Sequence, residues 1–373
     1  MKYLIYILVI LVFLVFTIDL YALNLVSDSY YRVKGIQIFN FNISEKQLDS
    51  YLADIKKKGF NTIFVRVFHN KNDRYHFNIN STASSGVYFK TNQVYVIKDI
   101  LRPLLIKAKK YNLKVFAWMA TRSLDALKES YNLDKTFKID NLNRSGYGVN
   151  LFNNNVFSKI IALFKDLAMY DIDGILIQDD FILKIDESAS IEAKKRFFVD
   201  RGFTINNNTI NNKDISKAFT DWKINQMRYF LNKIIWSVKL IDPSIKIAIN
   251  IYYETPYKPN KAKKWYAQSL SSFKSIDVDY FAYMSYHIQM AKELNCSFLD
   301  VLNIVNKSIR DMTKIIKPTK RIIAKFQIKD FHNKEYIEKK ELNKLCYLIN
   351  NYDEISYTLL PFENIKDLEY NCY

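Results

Sequence analysis

Two adjacent acidic residues stand out because they directly follow a mostly apolar segment. Asp179 and Asp180 end a predicted strand, Gly174 to Gln178. Burying acids costs free energy unless they have partners, so the pair indicates either a functional site or a surface turn. Like charges placed close together raise the pKa of one of them, and a carboxyl group that stays protonated near neutrality can act as a general acid. The pattern therefore favours acid–base catalysis, with capping of the following segment as the structural alternative.

Polar and aromatic residues also end the other predicted strands. Sugar rings stack on aromatic faces through their apolar C–H side, so aromatic residues beside acids are typical of carbohydrate-binding grooves. For each aromatic residue taken alone, packing in the core is the structural alternative. The candidates for substrate binding are Arg66, Trp118, Gln178, Asn250, Tyr252, Tyr286 and His287.

The elements that must position these residues alternate between short apolar runs and amphipathic stretches of helical period. Strands that are apolar on both faces and separated by helices predict a closed parallel (β/α)8 TIM barrel, whose active site lies at the C-terminal ends of the strands. A doubly wound sheet is the alternative, but no G-x-G-x-x-G follows the first strand. The predicted strands are 35–41, 62–68, 114–119, 174–178, 246–251, 280–286, 321–327 and 354–359. The predicted helices are 44–58, 94–111, 156–170, 215–240, 261–273, 297–316 and 334–350.

The domain organisation follows from the N-terminal segment and from the scarcity of linker residues. Residues 1–22 contain an uncharged apolar run and predict a signal peptide or membrane anchor, so we expect an exported protein that is periplasmic, extracellular or membrane-anchored. With only 7 Gly and 6 Pro, the sequence contains no flexible linker. We therefore expect one barrel domain over residues 30–373.

Charge and cysteine content exclude several classes of site. The formal net charge is +17, but the basic residues are spread along the chain without a compact cluster, so a solvated surface is favoured over nucleic-acid binding. Three cysteines allow at most one disulfide, and no His or Cys spacing indicates a metal site. We expect no metal and no cofactor.

Several segments resemble a known family. Residues 173–180 (D-G-I-L-I-Q-D-D) and 186–190 (D-E-S-A-S) are similar to the D-G-I-L-F-H-D-D-A motif and the later acidic segment of the C-terminal hydrolase domain of the PgaB family. These are exported poly-β-1,6-N-acetylglucosamine deacetylases of biofilm-forming bacteria. Gln178 stands where the family has His. Other similar segments occur in the family's order at 59–66, 87–89, 114–119, 250–251 and 265–268.

The resemblance, which spans residues 35–290, implies an endo-acting glycoside hydrolase that cleaves partly deacetylated poly-β-1,6-N-acetylglucosamine. The family's metal-dependent deacetylase domain has no room between residue 22 and the first strand, so we expect neither deacetylase activity nor its metal; a separate deacetylase or export machinery would be a partner. Hydrolysis of a different exopolysaccharide or cell-wall glycan, and non-catalytic polysaccharide binding in a biofilm matrix, remain as alternatives.

Within this hypothesis, Asp180 is predicted to protonate the leaving oxygen. Asp179, Glu187 and Glu254 are candidates for the base, the nucleophile or a stabilising charge. A carboxyl separation of about 5–5.5 Å would indicate retention and about 6.5–9.5 Å inversion. If no second carboxylate comes that close, the substrate's own acetamido group is expected to participate.

Overall fold

The computed structural model describes a defined set of residues, and the predicted leader at 1–22 lies outside it. Among the described residues, no helix combines the length and apolar character needed to cross a membrane. The described residues are 30–40, 45–73, 75, 77, 83–129, 132–139, 146–352 and 354–372.

Eight parallel strands form a closed barrel in which each strand pairs with the next along the chain. The last strand closes the barrel on the first, where Lys34 pairs with Tyr357. The predicted TIM barrel is therefore confirmed. The strands are β1 Lys34–Ile38, β2 Thr62–Arg66, β3 Lys114–Met119, β4 Gly174–Ile177, β5 Lys246–Ile251, β6 Tyr280–Tyr283, β7 Ile322–Gln327 and β8 Ser356–Phe362.

Helices surround the barrel, and polar caps begin several of them. The side chains of Asn153, Ser190, Asn212 and Ser297 each accept a hydrogen bond from a backbone N–H of the first helical turn. The α-helices are α1 Glu45–Lys57, α2 Leu101–Lys110, α3 Asn154–Ala168, α4 Ile191–Arg201, α5 Lys213–Lys239, α6 Glu254–Tyr257, α7 Pro259–Tyr266, α8 Leu270–Lys274, α9 His287–Leu294, α10 Phe298–Ile315 and α11 Lys339–Asn350.

Several helical regions differ from the predictions. The helix predicted at 94–111 begins only at Leu101, because the preceding residues run alongside Val87 through a bridge to Val96. The helix predicted at 261–273 is interrupted at Ala267, whose φ of 53° is left-handed. Helix α4 lies between the helices predicted at 156–170 and 215–240, where the sequence predicted no helix.

The core fills the barrel and the layer between strands and helices, and a second aromatic cluster lies outside it. Phe137, Phe197, Phe219 and Trp222 pack together in this smaller cluster, which joins the segments that follow β3 and β4 to α5. Those two segments carry the residues around Asp179, so the cluster supports the loops on the side of the barrel where catalysis is predicted.

Candidate active site

A cavity of about 400 Å³ opens at the C-terminal ends of the barrel strands. This is the position at which TIM barrels hold their active sites. We call it the barrel-mouth cavity. It is lined by Phe39, Arg66, Phe68, Asn72, Asp73, Tyr75, Trp118, Gln178, Asp179, Asn250, Tyr252, Met284, Tyr286, Gln289, Lys325 and Phe331.

Asp179 lines the barrel-mouth cavity directly after β4, and its side chain is partly exposed there. Burial raises the pKa of its carboxyl group, the negative charge of Asp180 raises it further, and the Lys325 ammonium lowers it, which leaves the pKa at about 6. A carboxyl group of this kind retains a proton in a pH range where an ordinary aspartate is ionised. Asp179 can therefore donate a proton to a bound substrate.

Asp180 faces away from the cavity and is 1% exposed. Its carboxylate accepts hydrogen bonds from the backbone N–H and hydroxyl of Thr121, each at 2.8 Å, and from those of Ser123, at 2.6 and 2.8 Å. The two aspartates face different ways, and Asp179, not Asp180, lines the cavity. Asp180 holds the segment after β3, and the position that can contact substrate belongs to Asp179.

Lys325 and Asn250 lie on the cavity wall beside Asp179. Lys325 donates a hydrogen bond to Oδ1 of Asn250 at 2.7 Å, and Nδ2 of Asn250 donates to the carbonyl of Ile177 at 2.9 Å. Burial lowers the pKa of Lys325 to about 7, while the negative charge of Asp179 acts to raise it. Asp179, directly after β4, and Lys325, on β7, therefore form a pair of titratable groups that affect each other's pKa.

Aromatic rings form a further part of the cavity wall. Phe39 packs against Trp118 with ring centroids 4.8 Å apart and against Phe331 at 6.1 Å. Tyr286 meets Phe331 edge-on at 5.3 Å. Trp118 also donates its indole N–H to the Gln178 side chain, which fixes both groups. These rings offer apolar faces on which a sugar can stack.

The aromatic surface continues beyond the cavity on the side of Asp179. Tyr252, whose hydroxyl donates to the Asp179 carbonyl at 3.1 Å, stacks on Tyr266 with centroids 4.4 Å apart. Tyr147 is 37% exposed, and its pKa is raised by burial and by the charges of Asp179 and Asp180. Tyr252 lines the cavity, and Tyr147 and Tyr266 lie outside its lining, where they can contact a second sugar unit.

Arg66 and Asp73 form an ion pair on the cavity wall. The guanidinium of Arg66 also donates to the carbonyl of Tyr75 at 2.8 Å and lies over the Phe68 ring at 4.6 Å. Burial lowers the pKa of Arg66 to about 10. The pair fixes the segment after β2 and brings a second carboxylate, Asp73, to the cavity.

The other two predicted acids lie outside the cavity lining. Glu187 forms a bidentate ion pair with Arg122, at 2.8 and 2.9 Å, inside the loop region. Burial opposes its charge, but the Arg122 guanidinium overcomes this and lowers the pKa of Glu187 to about 2. Glu254 is buried, accepts from the Tyr266 hydroxyl at 3.1 Å and lies 3.7 Å from the Lys261 ammonium. Both carboxylates contact other protein groups and neither belongs to the cavity lining.

His287, predicted to bind substrate, is also outside the cavity lining. It is the first residue of α9, is 2% exposed and packs edge-on against Phe298. Burial lowers its pKa to about 4. The structure thus brings Arg66, Trp118, Gln178, Asn250, Tyr252 and Tyr286 to the cavity with Asp179, and leaves Asp180, Glu187, Glu254 and His287 outside it.

Sequence reasoning did not identify Lys325, Asp73, Phe39 and Phe331, which line the same cavity. Lys325 carried a signal, since a lysine inside an otherwise apolar barrel strand is as unusual as the acids after β4. Asp73 and Phe331 lie in loops that no periodicity defines, and Phe39 directly follows β1 inside the strand predicted at 35–41. Among the described residues, no group of three or more His, Cys, Asp or Glu side chains could hold a metal ion.

Comparisons with known proteins identify the family and the fold. The sequence matches the model of hypothetical glycosyl hydrolase family 13 over residues 39–357, and a search among curated proteins gives no match. The structure is similar to the PgaB (BpsB) glycoside hydrolase domain from Bordetella bronchiseptica, with a TM-score of 0.73 and 18% identity over 89% of this chain and 94% of that chain.

More distant structures share the fold. The catalytic domain of β-amylase from Paenibacillus polymyxa has a TM-score of 0.56 and 11% identity over 90% of this chain and 94% of that chain. The endo-1,4-β-mannanase from Rhizomucor miehei has a TM-score of 0.53 and 10% identity over 88% of this chain and 85% of that chain. The family match, which covers most of the sequence, shows that the chain belongs to hypothetical glycosyl hydrolase family 13 and is a glycoside hydrolase.

Proposed function

We propose that this chain is an endo-acting glycoside hydrolase of an exopolysaccharide, with partly deacetylated poly-β-1,6-N-acetylglucosamine as its substrate and Asp179 as the general acid. One observation carries the proposal. Asp179 lies in the barrel-mouth cavity with its pKa raised by burial, and aromatic rings line the same cavity. Proton donation to a leaving oxygen needs such a carboxyl group within reach of a held sugar.

The other cavity residues supply binding and orientation. Trp118, Phe39 and Tyr286 offer stacking surfaces, and Asn250 and Gln178 offer amide groups to sugar hydroxyls. Tyr252 and Tyr266 extend the aromatic surface past Asp179. A surface that continues on both sides of the acid supports cleavage within a polymer.

The second catalytic group, which acts as the base, the nucleophile or a stabilising charge, comes from a residue of the cavity or from the substrate. Asp73 is the other carboxylate of the described cavity lining, but it is engaged in the ion pair with Arg66. Participation of a substrate acetamido group fits this arrangement, because it needs only one protein acid and a wall that holds the sugar. The N-acetylglucosamine polymer implied by the PgaB resemblance carries such groups.

A different exopolysaccharide or cell-wall glycan is the second candidate. Gln178 stands where the PgaB family has His, and the cations Arg66 and Lys325 line the cavity. These cations favour neutral or acidic sugars over a fully deacetylated, positively charged polymer.

Export of the protein is part of the proposal. A disulfide joins Cys346 to Cys372, and such bonds persist in oxidising compartments outside the cytosol. In that setting a separate deacetylase would supply the partly deacetylated polymer.

The test is hydrolysis by the purified protein and by Asp179→Asn. Partly deacetylated poly-β-1,6-N-acetylglucosamine and a panel of exopolysaccharides and cell-wall glycans serve as substrates, with reducing ends and product lengths as readouts. Asp179→Asn is expected to lower kcat by about 100-fold or more, because the amide cannot donate the proton.

Asp171→Asn is the matched control. Asp171 precedes the N-terminal end of β4, and its side chain is 82% exposed. It should leave activity unchanged. Release of single terminal sugars would reject the endo assignment, cleavage of another glycan alone would select the second candidate, and absence of new reducing ends from every glycan would leave only polysaccharide binding.

A further inference from the structure

A buried lysine lines the barrel-mouth cavity, and the negative charge of Asp179 is its electrostatic partner there. Lys325 lies on β7, is 1% exposed and lines the cavity beside Asp179. Burying an ammonium group costs free energy, and an apolar side chain of similar volume would fill the same space. A lysine at this position therefore calls for a ligand that uses its charge or its donors.

The hydrogen bonds of Lys325 leave donors available to a ligand. Asn250 donates through Nδ2 to the Ile177 carbonyl, so its Oδ1 must be the atom that faces Lys325 and accepts from the ammonium at 2.7 Å. An ammonium has three N–H donors, and among the described residues Asn250 is its one hydrogen-bond partner. The Tyr286 ring lies 5.4 Å from the nitrogen and offers only its face.

The charges around the cavity determine which sugar this lysine accepts. The titratable or charged side chains of the lining come from β2 and the segment after it, from the ends of β4, β5 and β6, and from β7. They are Arg66, Asp73, Tyr75, Asp179, Tyr252, Tyr286 and Lys325. Asp73 is paired with Arg66, so Lys325 and Asp179 are the charges left to meet a substrate.

We propose that Lys325 is a specificity-determining residue: it contacts the sugar unit held against Asp179 and admits a unit that presents an oxygen acceptor and carries no positive charge. The inference rests on the proposed function. An acetamido carbonyl, a hydroxyl or a carboxylate accepts from the ammonium, whereas a protonated amino group would be a like charge without an acceptor. In a partly deacetylated polymer, cleavage therefore occurs at acetylated units.

The experiment measures binding separately from turnover. Dissociation constants are measured at about pH 5 in the Asp179→Asn background, for fully acetylated and fully deacetylated β-1,6-linked glucosamine oligomers of equal length. The low pH keeps Lys325 protonated, because loss of the Asp179 charge lowers its pKa further. The protein with Lys325 is expected to bind the acetylated oligomer at least tenfold more tightly. Lys325→Gln retains a donor for Asn250 without the charge, and should reduce this ratio to about twofold or less.

Two further variants make the result specific to this charge. Lys325→Arg retains the positive charge and is expected to keep the preference. Lys109→Gln removes an exposed lysine, 78% exposed and paired with Asp171 on the far side of the barrel, and should leave the ratio unchanged. If Lys325→Gln does not fold, as judged by thermal unfolding, Lys325→Met replaces it as the variant that removes the charge.

The outcomes separate this inference from the proposed function. An unchanged ratio in folded Lys325→Gln, a lost preference in Lys325→Arg, or binding of neither oligomer would overturn the role of Lys325. If the wild-type protein hydrolyses no glycan but the Asp179→Asn variant binds the acetylated oligomer tenfold more tightly, the role of Lys325 is supported and the hydrolytic proposal is rejected.

Discussion

At the residue scale, the protonation of Asp179 sets the pH dependence of the reaction. Burial and the neighbouring Asp180 raise the pKa of Asp179 and Lys325 lowers it, giving a value of about 6. A general acid must be protonated before the reaction, so the active fraction falls as pH rises through this value. We expect kcat/KM to be highest below pH 6 and to fall about tenfold for each pH unit well above it.

The measurement is kcat/KM against pH between 4 and 8, with unfolding followed over the same range to exclude loss of structure. Lys325→Gln supplies an internal check. The Lys325 ammonium lowers the pKa of Asp179, so its removal should move the falling limb to higher pH. Activity that increases through this range would contradict Asp179 as the acid and indicate a base instead.

The sequence located the acids of the site but could not assign their orientations. Alternation along a strand predicted that Asp179 and Asp180 face different ways. The strand ends at Ile177, however, so the direction of each side chain depends on the segment after β3 that supplies Thr121 and Ser123. Lys325 was overlooked for a related reason, because a charged residue in a strand is meaningful only once the cavity beside it is known.

At the element scale, Asp180 connects two segments at the barrel mouth. Its carboxylate accepts hydrogen bonds from two backbone N–H groups of the segment after β3, those of Thr121 and Ser123. Asp180→Ala would leave these buried donors without an acceptor, at about 1–3 kcal/mol for each such group. We expect a loss of about 3 kcal/mol in the free energy of unfolding, measured by urea denaturation.

Asp171→Ala is the control for this change, since Asp171 lies at the other end of β4 in an exposed ion pair. It should alter stability by less than about 0.5 kcal/mol. A variant Asp180→Ala that is as stable as the wild type but inactive would restore to Asp180 the proton-donating role expected from the sequence.

The strands were more predictable than the helices between them. Apolar runs predicted β3 and β5 with the observed bounds, since residues on both faces of these strands are largely buried. The helix predicted at 261–273 failed because the left-handed conformation of Ala267 has no clear signal in a residue that favours helices. Such breaks depend on the packing of the loops around the site.

At the scale of the whole molecule, the alternation of strands and helices was enough to predict the closed barrel. The chemistry depends on contacts between segments far apart in sequence, such as Lys325 with Asn250. Residue patterns place each of these on its strand, but closure of the barrel decides which of them share a cavity. This is why the fold followed from periodicity and much of the cavity wall did not.

Removal of the disulfide tests how the C-terminal segment of the chain contributes to stability. Cys346 lies on α11, just before β8, and Cys372 lies 26 residues later near the C-terminus. Closing a loop of this length lowers the entropy of the unfolded chain, which in the chain-entropy model stabilises the folded state by about 3.5 kcal/mol. We expect the double variant Cys346→Ser and Cys372→Ser to lose about 2–4 kcal/mol in the free energy of unfolding, with hydrolysis retained below its unfolding transition because the bond lies outside the cavity lining. Cys296→Ser, at the free cysteine, is the control and should change stability by about 0.5 kcal/mol or less. If the wild type, the double variant and Cys296→Ser are equally stable in urea denaturation without reductant, the disulfide does not restrain the unfolded chain.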